Sequence, residues 1–149
     1  MFRNPRFRTL WFARLVSNLG NGMAPTAISF GVLGLAGATP RDLGIVLAAQ
    51  AIPLVLVLPL GGVIADRLPR AVIISVTDVI LGGFVVTAGV LFLTGRATIT
   101  NLVVIHVFAG ILNALWWPAF PGLVPAVMED RDLQRANALI AIASNAGLI

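Results

Sequence analysis

At 149 residues the chain has room for one soluble domain, but 58% hydrophobic and 11% charged residues leave too little polar surface to wrap one. Its ten cationic residues are all arginine and six residues are acidic, for a net charge of +4 and a pI of about 11.6. The arginines sit at the ends of apolar runs, where they orient membrane helices, and this placement argues against a nucleic-acid partner.

Four long apolar runs and part of a fifth follow in chain order. The first lies between Arg14 and Arg41 and predicts a helix over about residues 10–36. The second, between Asp42 and Asp66, predicts one over about 43–65. The third, between Arg70 and Arg96 with Asp78 inside it, predicts one over about 71–95. The fourth, between Arg96 and Glu129 with His106 inside it, predicts one over about 99–127. Each run exceeds the roughly 20 residues a helix needs to cross a bilayer of about 30 Å. A fifth run begins near Leu133 and is cut at Ile149, so a truncated span over about 133–149 and a longer natural protein are expected.

Helices fit these runs better than barrel strands. Strands of a membrane barrel alternate apolar and polar residues, whereas Ile52 to Leu60 is apolar throughout. The prolines at Pro25, Pro53, Pro59, Pro118 and Pro121 are compatible with membrane helices and predict kinks, most of all in the fourth span. A mean hydropathy of +0.99 agrees with an all-α membrane protein. The first run is too long for a signal peptide and other spans follow it directly.

Arginine placement gives the expected orientation. Arg3, Arg6, Arg8 and Arg14 lie at the start of span one, Arg67 and Arg70 between spans two and three, and Arg131 and Arg135 after span four. These fall on one side if the spans alternate, and only Arg41 and Arg96 fall on the other. The positive-inside rule then puts the N-terminus and the Asp66–Arg70 turn in the cytoplasm of a multi-pass protein of the cell membrane, in a bacterium the inner membrane. Trp11 fits an interfacial anchor. Trp116 and Trp117 fit either an interface or a cavity lining.

The connections leave no room for a soluble catalytic domain. With one histidine, no cysteine and no tyrosine, the chain has few nucleophiles or bases, and no disulfide framework or thiolate metal site. Intramembrane hydrolysis needs paired groups, and only Asp78 and His106 stand inside the spans as candidates. Neither an enzyme nor any metal or cofactor is expected.

The informative motif is Gly62-Val-Ile-Ala-Asp66-Arg67-Leu-Pro-Arg70, in a short turn after two spans. Gly61 and Gly62 carry no side chain and let another helix approach. Asp66 is suited to accept hydrogen bonds at a helix N-terminus. Arg67 and Arg70 suit acidic groups or lipid phosphates, or simply set topology. The motif resembles the cytoplasmic signature between helices two and three of major facilitator transporters, with matches at Gly62, Asp66, Arg67 and Arg70. Pro69 and Ala71 depart from it, so the basic cluster is reduced. The opening Phe7 to Gly22, Ala24 to Ala27, Gly122 to Pro125 and Leu133 to Ala138 resemble the first, fourth and fifth helices of bacterial drug and siderophore exporters related to the enterobactin exporter.

The resemblance implies the partial N-terminal half of a major facilitator fold: four transmembrane helices plus the start of a fifth. In that family the aspartate matching Asp66 contacts the opposite half of the transporter and steadies one state, and helices one and four line the central cavity. Asn18, Asn21 and Pro25 share a face of span one at helical spacing, and His106, Asn113 and Trp117 roughly share one on span four. Asn18, Asn21, Pro25, Asn113 and Trp117 are therefore candidate pathway residues, the alternative being hydrogen bonding between helices. His106 lies in the outer half of its span, where packing is favoured. Asp78 lies about 12 Å into its helix, where a carboxylate is costly unless paired or functional. Leu81 stands where the family often has an arginine, so Arg14 or Arg135 is the candidate ion-pair partner, and proton coupling is the other role for Asp78.

The expected partners are the lipid bilayer, the C-terminal part of the same transporter, a small-molecule solute and protons. The expected activity is proton-coupled efflux by alternating access. A small four-helix membrane protein, working as an oligomeric exporter or an assembly subunit, is the alternative.

Overall fold

The computed structural model describes residues 5–122 and 133–145, without the side chains of residues 5–7, 10, 133, 135–137, 143 and 144. The described chain is helical, with α1 (Pro5–Leu33), α2 (Pro40–Arg67), α3 (Arg70–Leu93), α4 (Ile99–Ala119), a 3-10 turn (Phe120–Gly122) and α5 (Leu133–Asn145). Among the described residues, three helices, α2, α3 and α4, are long and apolar enough to cross a membrane. α1 has the length, at 29 residues, but Ser17, Asn18, Asn21 and Ser29 dilute its apolar character. The protein is an all-α, multi-pass membrane protein.

Local chemistry sets the helix ends. Thr39 opens α2 with a capping box: its hydroxyl accepts from the Asp42 N–H, and the Asp42 carboxylate accepts from the Thr39 N–H at 2.8 Å and from its hydroxyl at 2.6 Å. Pro40 occupies the first turn, where a missing N–H costs nothing. α2 stops because Pro69 holds Leu68 in an extended conformation, φ −111° and ψ 153°. α3 closes on a left-handed Gly95, φ 68°, with the Arg96 N–H donating to the Leu91 carbonyl at 2.9 Å and the Gly95 N–H to that of Phe92 at 3.2 Å. Thr98 opens α4 by accepting from the Asn101 N–H at 3.2 Å. Regular α-helix ends at Ala119, with Pro118 in its last turn, and the chain tightens into the 3-10 turn that contains Pro121. Residues 123–127 of the expected fourth span, with Arg131, lie outside the described residues.

Two compact units are present: Met1–Ser29 with Gly122–Ile149, and Phe30–Pro121. In the first, the Trp11 indole N–H donates to the Leu139 carbonyl at 2.9 Å and ties α1 to α5. The Ser29 hydroxyl donates to the Pro25 carbonyl at 2.7 Å. In the second, the core lies where α4 meets α2 and α3, and Leu102, Val32 and Val46 are its largest fully buried side chains. Small residues set the approach. A Cβ at Gly61 would collide with the Ala114 carbonyl oxygen, and one at Gly110 with the Gln50 carbonyl oxygen. Both contacts advance in the same sense along the two helices, so α2 and α4 run parallel. Because lipid is as apolar as leucine, such backbone approach, rather than exclusion of water, holds the helices together.

Three threonine hydroxyls in and at the end of α3 are satisfied locally. Thr77 donates to the Ile73 carbonyl at 2.7 Å, Thr87 to that of Gly83 at 2.8 Å and Thr94 to that of Val90 at 2.7 Å. Such bonds suit a lipid environment, where no water is available to replace a lost partner.

Candidate functional site

Leu68 and Pro69 alone separate α2 from α3, so Asp66, Arg67 and Arg70 are held at one end of an antiparallel helix pair. All three side chains are exposed. Arg70 Nη2 lies 3.9 Å from Asp66 Oδ1, with Asp66 78% and Arg70 44% accessible. A long pair in such exposure contributes at most about 1 kcal/mol. Asp66 does not cap the helix that follows it: Pro69 stands at the N-cap of α3 with no side-chain cap hydrogen bond, and Asp66 accepts no hydrogen bond among the described residues.

The two signature glycines separate in role. Gly61 is the point of close approach to α4, whereas a Cβ at Gly62 would meet nothing within 4 Å. The close approach of Gly110 to Gln50 was not anticipated from sequence. A lone glycine in an apolar helix carries no signal of the helix it faces.

The intramembrane candidates fall in different settings. On α1, Asn18 is buried while Asn21 and Pro25 are exposed, so the three do not share one environment. Arg14 is half-buried. On α4, Asn113 is half-buried and donates through Nδ2 to the Ala109 carbonyl at 2.8 Å, and Trp117 is 60% exposed. Trp117 stands edge-on to Trp116, which stacks on Phe120 with ring centroids 4.8 Å apart. His106 is buried, and its Nδ1 lies 2.8 Å from the Leu102 carbonyl. A carbonyl only accepts, so Nδ1 carries the proton. Asp78 lies on an exposed face of α3, beside the buried Thr77. Arg135 is on α5, and its side chain lies outside the described residues. The structure thus brings Asp66 and Arg70 together, and Asn18, Asn21 and Pro25 lie along one face of α1 within about 60° of arc, with Asn18 buried and the other two exposed.

With this geometry in place, comparison with known proteins gives the family. Residues 1–147 match the family described as transmembrane secretion effector, of the major facilitator (MFS) type. The chain belongs to the major facilitator transporters. It is also 24% identical over 139 residues to an uncharacterized MFS-type transporter of Bacillus subtilis (strain 168), YkuC, covering 93% of this chain and 32% of that protein. The chain therefore spans about a third of the length of the curated relative it matches. No solved structure matches the chain. The family is one of transporters rather than enzymes, and the short α2–α3 link carrying Asp66 and Arg70 takes its meaning from that membership.

Proposed function

We propose that the chain is the N-terminal part of a secondary transporter that moves a small molecule out of the cell by alternating access, driven by protons. The observation that carries this reading is the α2–α3 turn: an exposed carboxylate that serves no described helix start, beside a glycine whose flank is open. Both features suit a surface that receives a helix from the remaining part of the carrier. In one conformational state Asp66 would accept N–H groups at the start of that helix, with the helix dipole adding to the attraction. Arg70 would keep the carboxylate oriented, Gly62 would admit the approaching backbone, and Arg67 would face lipid phosphate.

Asn18, Asn21, Pro25, Asn113 and Trp117 are proposed to line the solute pathway, and Asp78 to form an ion pair with Arg14 or Arg135. Arginine placement supports a cytoplasmic N-terminus in a bacterial inner membrane. The stretches similar to drug and siderophore exporters support efflux. The test is proton-driven flux in proteoliposomes. The full-length carrier should support it, and the 149-residue chain alone should not. Saturable, proton-driven flux through the short chain alone would overturn this reading.

A further inference from the structure

Gln50 stands about 15 Å from the start of α2 at 1.5 Å per residue, at a depth where the surroundings in a bilayer are hydrocarbon. It occupies the closest approach of α2 to α4, with its backbone against Gly110. Thr77, Thr87, His106 and Asn113 each bond a carbonyl of their own helix. The half-buried Gln50 carboxamide has no hydrogen-bond partner among the described residues. A primary amide held in hydrocarbon without partners is strongly disfavoured.

The α4 side of the crossing is polar as well. His106 and Asn113 lie one turn to either side of Gly110, and the three positions fall within about 60° of arc on α4. His106 uses Nδ1 on the Leu102 carbonyl, so Nε2 remains as an acceptor. Asn113 uses one N–H on the Ala109 carbonyl, so Oδ1 and a second N–H remain. Neither lipid nor a dry helix contact accounts for three residues with hydrogen-bonding capacity to spare at one crossing.

We infer that Gln50, with His106 and Asn113, forms a water-accessible polar subsite at the α2–α4 crossing, where the Gln50 amide takes an uncharged hydrogen-bonding group of the solute, such as a hydroxyl or amide. This rests on the carrier reading above. All three side chains are uncharged or carry a ring acceptor, so the subsite offers paired donors and acceptors and no fixed charge to hold an ion. Such a site discriminates sharply against an analogue that lacks the matching hydroxyl or amide, because its own polar groups are then left unpaired.

The chain has no cysteine, so single-cysteine variants of the full-length carrier, with any cysteine elsewhere replaced, report on one position at a time. In membrane vesicles, a charged methanethiosulfonate should modify Gln50→Cys at least ten times faster than Val55→Cys. Val55 is 67% exposed and lies about 140° round the same helix. Equal or slower reaction at position 50 overturns the inference. Gln50→Leu gives an independent reading, because a wet subsite lets the melting temperature stay or rise. A fall reveals a dry hydrogen bond to another helix and also overturns it. Normal proton-driven flux with no difference in labelling sinks this inference alone; absence of flux from the unmodified carrier sinks the carrier reading instead.

Discussion

Gly61 on α2 lies so close to the Ala114 carbonyl on α4 that the two helices meet backbone to backbone. The neighbouring Gly62 faces open space. Gly61→Ala forces a methyl into a carbonyl oxygen and should cost about 1–3 kcal/mol by overpacking. Gly110→Ala, against the Gln50 carbonyl, should behave alike. Gly62→Ala should stay within about 0.5 kcal/mol in stability. Thermal unfolding in detergent, followed by tryptophan fluorescence, measures all three, and an unaffected Gly61→Ala would show that the crossing is looser than described.

Asp66→Asn should leave membrane insertion and thermal stability almost unchanged, because its pair with Arg70 is long and exposed. Turnover of the intact carrier should fall, because the proposed contact with an incoming helix start loses its charge. Flux at matched expression decides this, and full activity removes the mechanistic role assigned to the turn.

Asp78→Asn should lower expression and melting temperature, since breaking the proposed pair within the bilayer costs several kcal/mol. A neutralising change at Arg14 or Arg135 should partly restore both. A stable Asp78→Asn carrier that binds solute but no longer responds to a pH gradient would instead assign proton coupling to this residue, and a stable, fully active one would deny it both roles.

Single cysteines at Leu68 and Thr98 test the orientation. Thr98 opens α4 at the opposite end of the α3 hairpin from Leu68. An impermeant maleimide applied to intact cells should label Thr98→Cys and spare Leu68→Cys. The reverse pattern inverts the topology.

The start of α2 should carry a pH signature. Asp42 lies in the capping turn, ahead of the apolar run that begins at Leu43. Its carboxyl is held below its ordinary pKa by the Thr39 hydroxyl first and by the Thr39 backbone N–H second. A lowered folded value means that the carboxylate contributes stability above the ordinary carboxylate pKa of about 4. That contribution is lost as pH falls through the folded value. Thr39→Ala, which removes the hydroxyl from the capping turn, should therefore lower the melting temperature at neutral pH. The gap between wild type and Asp42→Asn in thermal unfolding should close on acidification; a gap that persists in acid would show that Asp42 acts without its charge.

The helices were legible in the sequence because the signals that set them are local. Charged residues bracket the apolar runs, Pro69 ends α2, and Gly95 and Thr98 sit at the turn before α4. The close approach at Gly61 followed from its lack of a side chain beside the signature. Gly110 and Gln50 were not legible. A helix that is apolar all round shows no face by periodicity, since lipid and protein contacts select the same residues. α1 runs from Pro5, ahead of the apolar span expected from about residue 10, because arginines that do not suit hydrocarbon are good helix formers. Spacing puts Asn18, Asn21 and Pro25 on one face of α1, but it does not say which turn of that face is covered, and only Asn18 is buried.

The two-residue link between α2 and α3 also constrains how the protein is made. With no slack at Leu68–Pro69, the end of α2 fixes the side of the membrane from which α3 must depart. With the turn on the proposed cytoplasmic side, Asp66, Arg67 and Arg70 need never be dragged through the bilayer.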